Sequence, residues 1–343
     1  MKILAIDVGH GTQDVFLYDS AKKYENSIKL ILPSPSRLYA SRVREMEGDL
    51  FVKGLQVGGG ELSSELLNHE GSVYMTKKTA STIRNDPDDV MARGIEIVEI
   101  EPPRFRGSTL EIHEPSLIEI KKILEDFGEN IDEIDAIAIA VQDHGSYLKG
   151  ESNRKARMSR LRGILEKRHS VQDLLFSSCE IPEEFSRMHD AYDFARSMFQ
   201  RSELFVMDTS PAAILGCMGD ARAGENTLAI NIGNGHTMAA LFSGSTISAI
   251  FEHHTRKLTH DKLRDLIRRF VHGDLEDEEV FNDGGHGCFY LSEVREPESL
   301  LITGPNRGLI EGTGLRFSYA YPAGDVMLPG PIGMIGAVLD RMR

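Results

Sequence analysis

Two short stretches of the chain carry the same polar pattern, Ile6-Asp7-Val8-Gly9-His10-Gly11-Thr12 and Ile230-Asn231-Ile232-Gly233-Asn234-Gly235-His236-Thr237. Each is an apolar run ending in a polar residue, then Gly-x-Gly with hydroxyl or amide side chains, then a second apolar run, Val15 to Tyr18 or Met238 to Phe242. Glycines let a backbone turn tightly and come close to an anion, leaving successive N–H groups to bind it, so phosphate is the chemistry such a turn suits. A carboxylate at the end of the preceding strand, Asp7, suits a hydrated magnesium ion. Alone, a strand-Gly-x-Gly-strand segment is an ordinary β-hairpin. Two matched copies, which also align Leu17 with Leu241 and Tyr18 with Phe242, point to one ligand held between two half-sites.

Further candidates stand where apolar runs stop. Ala136 to Val141 is the continuous apolar run expected of a buried parallel strand, and it ends in Gln142-Asp143-His144-Gly145, where open α/β sheets place ligands. Asp143 and His144 are therefore candidate substrate contacts, with a helix-capping Asp and a surface His as the alternative. Leu50 to Val57 reads as a strand running into Gly58-Gly59-Gly60 and a helix from Glu61 to Leu67. There the amides of Gly59 and Gly60 could meet an anion, unless the glycines only relieve crowding. Leu204 to Met207 is a short strand closed by Asp208, ahead of Pro211 and a small-residue helix, so Asp208 is a cap or a carboxylate aimed at a ligand. Arg154, Lys155, Arg157, Arg160, Arg162, Lys167 and Arg168 form a basic stripe, read as a solvated helix face with binding of acidic substrate groups as the alternative. His253, His254, His260, His272 and His286 lack H-E-x-x-H or comparable spacing and lend a metal-dependent enzyme little support.

The elements that must position these groups come in two similar sets. Strands are expected at Lys2 to Asp7, Gln13 to Tyr18 and Ser27 to Leu32, and again at Thr227 to Ile232, Met238 to Phe242 and Thr246 to Phe251. Amphipathic helices are expected at Glu114 to Phe127 and Thr259 to Val271, and a further strand at Leu300 to Ile302 leads into Thr303-Gly304-Pro305-Asn306. At 343 residues the chain exceeds the size at which one core keeps growing. Residues 1–202 are expected to form one lobe with inserts and residues 203–330 a second. A closing helix within 331–343 packs back on the first lobe, with Gly333 and Gly336 permitting close contact. An apolar content of 41% without Trp fits an α/β protein packed with Val, Ile and Leu. A formal charge of −14 argues against non-specific nucleic-acid binding, which needs clustered Lys and Arg. Cys179, Cys217 and Cys288 form no C-x-x-C, so a disulfide framework and a cysteine metal knuckle are poorly supported, and a reducing cytoplasm is expected. Neither a signal peptide nor a membrane span is expected.

Taken in order, these segments resemble the actin-like ATPase superfamily of sugar kinases, acetate kinases, chaperone ATPases and exopolyphosphatases. Ile3 to Asp14 resembles its first phosphate motif, Ala229 to Thr237 its second, and Leu301 to Gly304 its adenosine motif. Asp208 to Gly216 is similar to the Asp-led, alanine-rich segment of glucokinase-type sugar kinases. Within the superfamily the chain most resembles an archaeal family of unassigned function, some of whose members are labelled pyruvate formate-lyase activating proteins. That label finds no support in the cysteines, because such a radical enzyme needs a close triplet of them.

The resemblance implies an α/β fold of two actin-like (ribonuclease H-like) lobes, each a mixed five-stranded sheet with flanking helices, with a cleft between them. It implies an ATPase or phosphotransferase using ATP and Mg. Gly9, Gly11, Thr12 and Gln13 would hold phosphate from one lobe, and Gly233, Asn234, Gly235 and Thr237 from the other. Asp7 would position the metal, and Gly304 and Asn306 would lie near the adenosine. Asp208, with Asp143 second, would orient or deprotonate the acceptor. Asn231 stands where many members have Asp, and Pro305 replaces the second glycine of the adenosine pair. ATP binding is thus better supported than turnover, and a nucleotide-binding regulator or assembly factor is the alternative. The acceptor, a small molecule or protein, is set by residues 33–110 and 145–200, which carry no readable motif. The oligomeric state stays open, a homodimer included.

Overall fold

A computed structural model describes residues 1–147, 151–168 and 170–343; positions 148–150 and 169 of the 145–200 insert lie outside the described residues. Its strands are β1 (Lys2–Val8), β2 (Thr12–Asp19), β3 (Ile28–Pro33), β4 (Leu50–Gly54), β5 (Val73–Met75), β6 (Ile95–Ile97), β7 (Ser108–Ile112), β8 (Ala136–Val141), β9 (Glu203–Met207), β10 (Asn226–Ile232), β11 (His236–Ser243), β12 (Thr246–His254), β13 (Gly287–Tyr290), β14 (Ser299–Thr303) and β15 (Ser318–Tyr319). Its α-helices are α1 (Pro35–Arg44), α2 (Gly60–Leu67), α3 (Lys77–Ala80), α4 (Pro87–Met91), α5 (Leu117–Asp126), α6 (Asn153–Arg168), α7 (Ser186–Met198), α8 (Thr209–Met218), α9 (His260–His272), α10 (Asp277–Asn282) and α11 (Pro329–Arg341).

One sheet has the order β3-β2-β1-β8-β9, and a second runs β13-β12-β11-β10-β14-β15. In the first, β1–β2 and β2–β3 are antiparallel while β1–β8 and β8–β9 are parallel. The second repeats this with β10–β11 and β11–β12 antiparallel and β10–β14 and β14–β15 parallel. Strand for strand, β1, β2, β3, β8 and β9 correspond to β10, β11, β12, β14 and β15, the ribonuclease H-like plan used twice in an actin-like fold. Every residue of β8 is buried, because helices cover both faces of a parallel strand and leave no position for a polar side chain.

Three features differ from the expectation. The edge strand β13 pairs antiparallel with β12 and makes the second sheet six-stranded. Strand β9, Glu203–Met207, lies in the range expected for the second lobe but pairs with β8 and completes the first sheet. A third, all-parallel sheet of order β6-β5-β4-β7 is built mainly from the 33–110 insert, with β7 running on to Ile112, and has its own apolar core around Leu50, Val52, Leu62 and Met75.

Helices α8 and α11 join the lobes, and their residues share one continuous core with both main sheets. Their contact is too close for side chains at two positions. A Cβ on Gly216 would lie 2.0 Å from Pro329 O, and one on Gly333 would lie 2.2 Å from Ala212 O. Gly336 faces open space and has no such role. On the far face of the second sheet, α9 buries Leu263, Leu266, Ile267 and Phe270 against a separate core. No helix among the described residues is long and apolar enough to cross a membrane.

Candidate functional site

The two repeated turns are built alike and meet. Gly9 N–H donates to Thr12 O at 2.8 Å, and Gly233 N–H donates to His236 O at 2.9 Å, closing equivalent turns. The amides of His10, Gly11, Asn234 and Gly235, inside these turns, have no protein acceptor among the described residues. A Cβ on Gly11 would lie 2.8 Å from Asn234 Nδ2, so the tips touch. Behind them lies a cavity of about 180 Å³ lined from both lobes, including by Asp7, Gly9, Thr12, Gly233, Asn234, Gly235, Gly304 and Pro305. Gly304 adopts φ +97°, and a side chain there would press on Ile232 O, so the turn after β14 requires glycine.

The floor of this cavity is acidic. Asp7 and Asp14 are cross-strand partners in the β1–β2 hairpin, and both line the cavity. Asp7 Oδ1 and Asp14 Oδ1 are buried without a hydrogen-bond partner among the described residues. Burial pushes the Asp7 carboxyl well above the usual carboxylate range, with the charges of Asp14 and Asp208 adding to it. Burial pushes Asp14 up to about 7. Two buried carboxylates with unused oxygens on one wall are the donor set of a hard divalent cation, so the residues fit magnesium. Asp14 was not anticipated. It shares a strand face with Thr12, which period-two alternation would have revealed.

Several anticipated residues lie elsewhere. Gln13 points away from the cavity. Its amide donates to Pro33 O at 3.0 Å and Ser116 Oγ at 2.8 Å and accepts from Ser116 N–H at 3.1 Å. Thr237, its equivalent in the second hairpin, is likewise turned inward, its hydroxyl 3.0 Å from Thr255 Oγ1. The Asn306 amide braces the second turn, donating to Gly233 O at 3.0 Å and Asn234 Oδ1 at 3.3 Å.

Asp208 and Asp143 are also committed. Arg157 Nη1 and Nη2 donate to Asp208 at 2.6 and 3.0 Å, and the amides of Ser210 and Asp143 donate to it at 3.1 and 3.3 Å. Asp208 therefore caps α8 and anchors Arg157, and it lines neither large cavity. The same guanidinium donates to Glu252 at 2.7 and 3.1 Å. Burial penalises the Glu252 carboxylate, yet Arg157 beside it holds its pKa below the usual range. Arg157 is 2% exposed, so this member of the basic stripe is a buried lobe-to-lobe tie rather than part of a solvated face. Asp143 accepts from Gly145, Arg187 and Met188 N–H at 2.8, 2.9 and 3.1 Å, holding the start of α7.

A larger cavity of about 540 Å³ opens between the first sheet and the insert sheet. The anticipated substrate residues His144, Gly59 and Gly60 all line it. Its wall carries Ser36, Gln56 and Asn85, together with a Glu114–Arg187 ion pair in which Arg187 Nη2 lies 2.9 Å from Glu114 Oε2. Gly9, His10, Gln142 and Thr209 border both cavities. The larger volume is in the range of small-molecule sites and the smaller is below it.

Where the cavities adjoin, His144, His236, His254 and His286 gather, with neighbouring ring centroids 4.8 to 5.8 Å apart. Burial pushes His286 down to about 3 and His236 to about 4, and it holds His144 well below its usual value. His253, His260 and His272 stand apart, engaged with Asp283, Leu309 O and Arg268 O respectively.

A family model described as “Putative pyruvate format-lyase activating enzyme (DUF1786)” matches residues 57–309. No curated protein matches the chain. Among solved structures, similarity is found to the Lmo2764 protein of Listeria monocytogenes, “a putative N-acetylmannosamine kinase”, at 12% identity over 100% of both chains with a TM-score of 0.39. A Bacteroides thetaiotaomicron protein with actin-like ATPase fold and unknown function matches at 7% identity, over 96% of this chain and 95% of that one, with a TM-score of 0.38. The PilM–PilN type IV pilus biogenesis complex matches at 11% identity, over 99% and 98%, with a TM-score of 0.43.

Proposed function

Given that the chain belongs to the DUF1786 family and has an actin-like ATPase fold, we propose that it binds a nucleoside triphosphate with Mg²⁺ between its lobes and transfers or hydrolyses the terminal phosphoryl group. The observation that carries this reading is convergence. His10, Asn234 and Gly235, whose amides are unbonded, and two carboxylates with unused buried oxygens line one cavity between sheets of the same topology, while Gly11, anticipated beside them, is buried behind its turn and does not line it. Phosphoryl transfer is mainly positioning and charge stabilisation, so amides, a metal and an oriented acceptor suffice.

In this reading His10, Asn234 and Gly235 supply amides to phosphate, and Gly304 borders the adenosine side. Asp7 and Asp14 would hold the magnesium, which neutralises phosphate charge when bound. The acceptor occupies the larger cavity, and His10, which borders both spaces and lies against Gly60, takes its proton. Asp208 and Asp143 keep Arg157 and α7 in place. Because the turn tips touch and the inner cavity is small, the lobes must part to admit a nucleotide.

The radical activity in the family's description is not part of this proposal. Cys217 on α8 and Cys288 on β13 are buried, Cys179 is exposed, and the three lie far apart in the sequence. A second reading, nucleotide binding with little turnover, is favoured by one observation: Arg157 engages Asp208, leaving that carboxylate unavailable to an acceptor.

Thermal-shift measurements with ATP and ADP, with and without Mg²⁺, together with phosphate release test both. A metal-dependent nucleotide shift of the wild type that is lost in Asp7→Asn and Asp14→Asn supports the site. Turnover reduced at least tenfold in His10→Gln, with the shift retained, supports catalysis over regulation. A wild type whose melting responds to no nucleotide with Mg²⁺ overturns the proposal.

A further inference from the structure

We propose that His144, His236 and His286 form a binding site for one divalent transition-metal ion of the zinc class, separate from the carboxylates of the nucleotide cleft. The three residues come from distant parts of the chain: the segment after β8, the first residue of β11 and the residue before β13. One ring nitrogen of each lies within 4.8 Å of the others. His144 Nε2 and His286 Nε2 are 3.4 Å apart, and two nitrogens bound at the usual ~2.0–2.1 Å to a tetrahedral ion are separated by about 3.3 Å.

Neutral histidines sharing one hydrogen bond would give the same single distance, but they would not explain His236. Its Nε2 is buried with no hydrogen-bond partner among the described residues, and a buried imidazole nitrogen ordinarily has one. The surroundings are those of held ligands. The Gln142 amide nitrogen lies 2.9 Å from His236 Nδ1. Metal binding requires this amide turned by half a rotation, an exchange of N and O that leaves its shape unchanged, so that its oxygen accepts Nδ1–H and the Nε2 lone pair is free, the outer-shell arrangement typical of metal-bound imidazole. Arg160 holds the His144 carbonyl at 3.2 Å, and the His286 amide donates to Glu252 O at 2.8 Å, so the backbone carrying two of the rings is fixed.

An all-nitrogen donor set selects zinc-class ions over magnesium, which takes oxygen. Three protein ligands leave a fourth position open. His144 borders the larger cavity and His236 the inner one, so an ion here sits in the wall that the two share.

The test uses the untagged full chain, stripped with a chelator, and no nucleotide, so it is independent of the phosphoryl-transfer reading. Titration with Co²⁺ should bind one equivalent, with the visible bands of tetrahedral cobalt, and one equivalent of Zn²⁺ should displace it. His236→Ala and His286→Ala should each weaken binding at least tenfold, while His260→Ala, His272→Ala and Asp7→Asn leave it unchanged. His144→Ala alters a partly exposed residue outside any strand or helix, so it keeps the test decisive should the more buried variants fail to fold. Absence of stoichiometric cobalt or zinc binding by the folded wild type, or binding unchanged in folded His144→Ala, overturns the proposal.

Discussion

Thr12, Gln13 and Asp14 are consecutive, and strand alternation sends Gln13 to the face opposite its neighbours. The repeat made both turns legible in the sequence, yet treating the polar residues after each turn as one group put Gln13 and Thr237 in the cleft and left Asp14 and His236 out. The two misplaced residues occupy equivalent positions and do equivalent work, tying a hairpin to the structure behind it. Gln13 satisfies the buried Ser116 N–H and also donates to the Pro33 carbonyl, so its loss leaves a buried donor without a partner. Gln13→Ala should therefore lower stability by about 2–3 kcal/mol in urea unfolding while leaving the nucleotide-dependent thermal shift intact. A variant of unchanged stability that no longer responds to nucleotide would return Gln13 to the binding site.

At the scale of elements, long periodic runs were readable and short or long-range ones were not. Strands β5 and β6 span three residues each, too few to show a period, so the insert sheet left only β4 as a trace. Helix α6 carries the basic stripe, but a basic composition cannot announce that one arginine is buried between carboxylates far away in sequence. A similar tie holds the end of α8. Asp220 accepts from Arg222 Nε at 2.7 Å and Nη2 at 2.6 Å and from Tyr321 N–H at 2.7 Å, joining that end to the segment leading into α11. The Arg222 side chain beside Asp220 lowers its pKa to about 2 despite the opposing cost of burial. The folded-state pKa lies below the unfolded value of about 3.9, so this contribution is complete above that value and is lost as pH falls toward 2. Asp220→Asn should be destabilised by about 1–2 kcal/mol at pH 6, a figure reduced because Arg222 is half exposed. Unfolding curves of wild type and variant should converge between about pH 4 and 2. A difference independent of pH would mean that the carboxylate charge is not what holds this turn.

The whole molecule joins its two ends at the cleft. Helix α11, at the C-terminal end of the chain, packs on β1 at the N-terminal end, and its first turn covers Asp7. A Cβ on Gly330 would lie 2.0 Å from Asp7 Oδ2 and 2.7 Å from its Cγ. Neither partner can yield cheaply, since the added atom would also lie 3.0 Å from Asp7 Cβ, which no side-chain rotation moves, and α11 is locked to α8 through Gly216 and Gly333. Gly330→Ala must therefore push the carboxylate off its position or lift the helix from the first sheet. We expect the melting temperature to fall by several degrees and the Mg²⁺-dependent part of the ATP shift to be lost, with cobalt binding at the histidines unchanged. Loss of both metal responses together would show that α11 supports the lobe interface as a whole. An unchanged magnesium response would mean that Asp7 does not hold the ion and would leave Asp14 as the carboxylate that does.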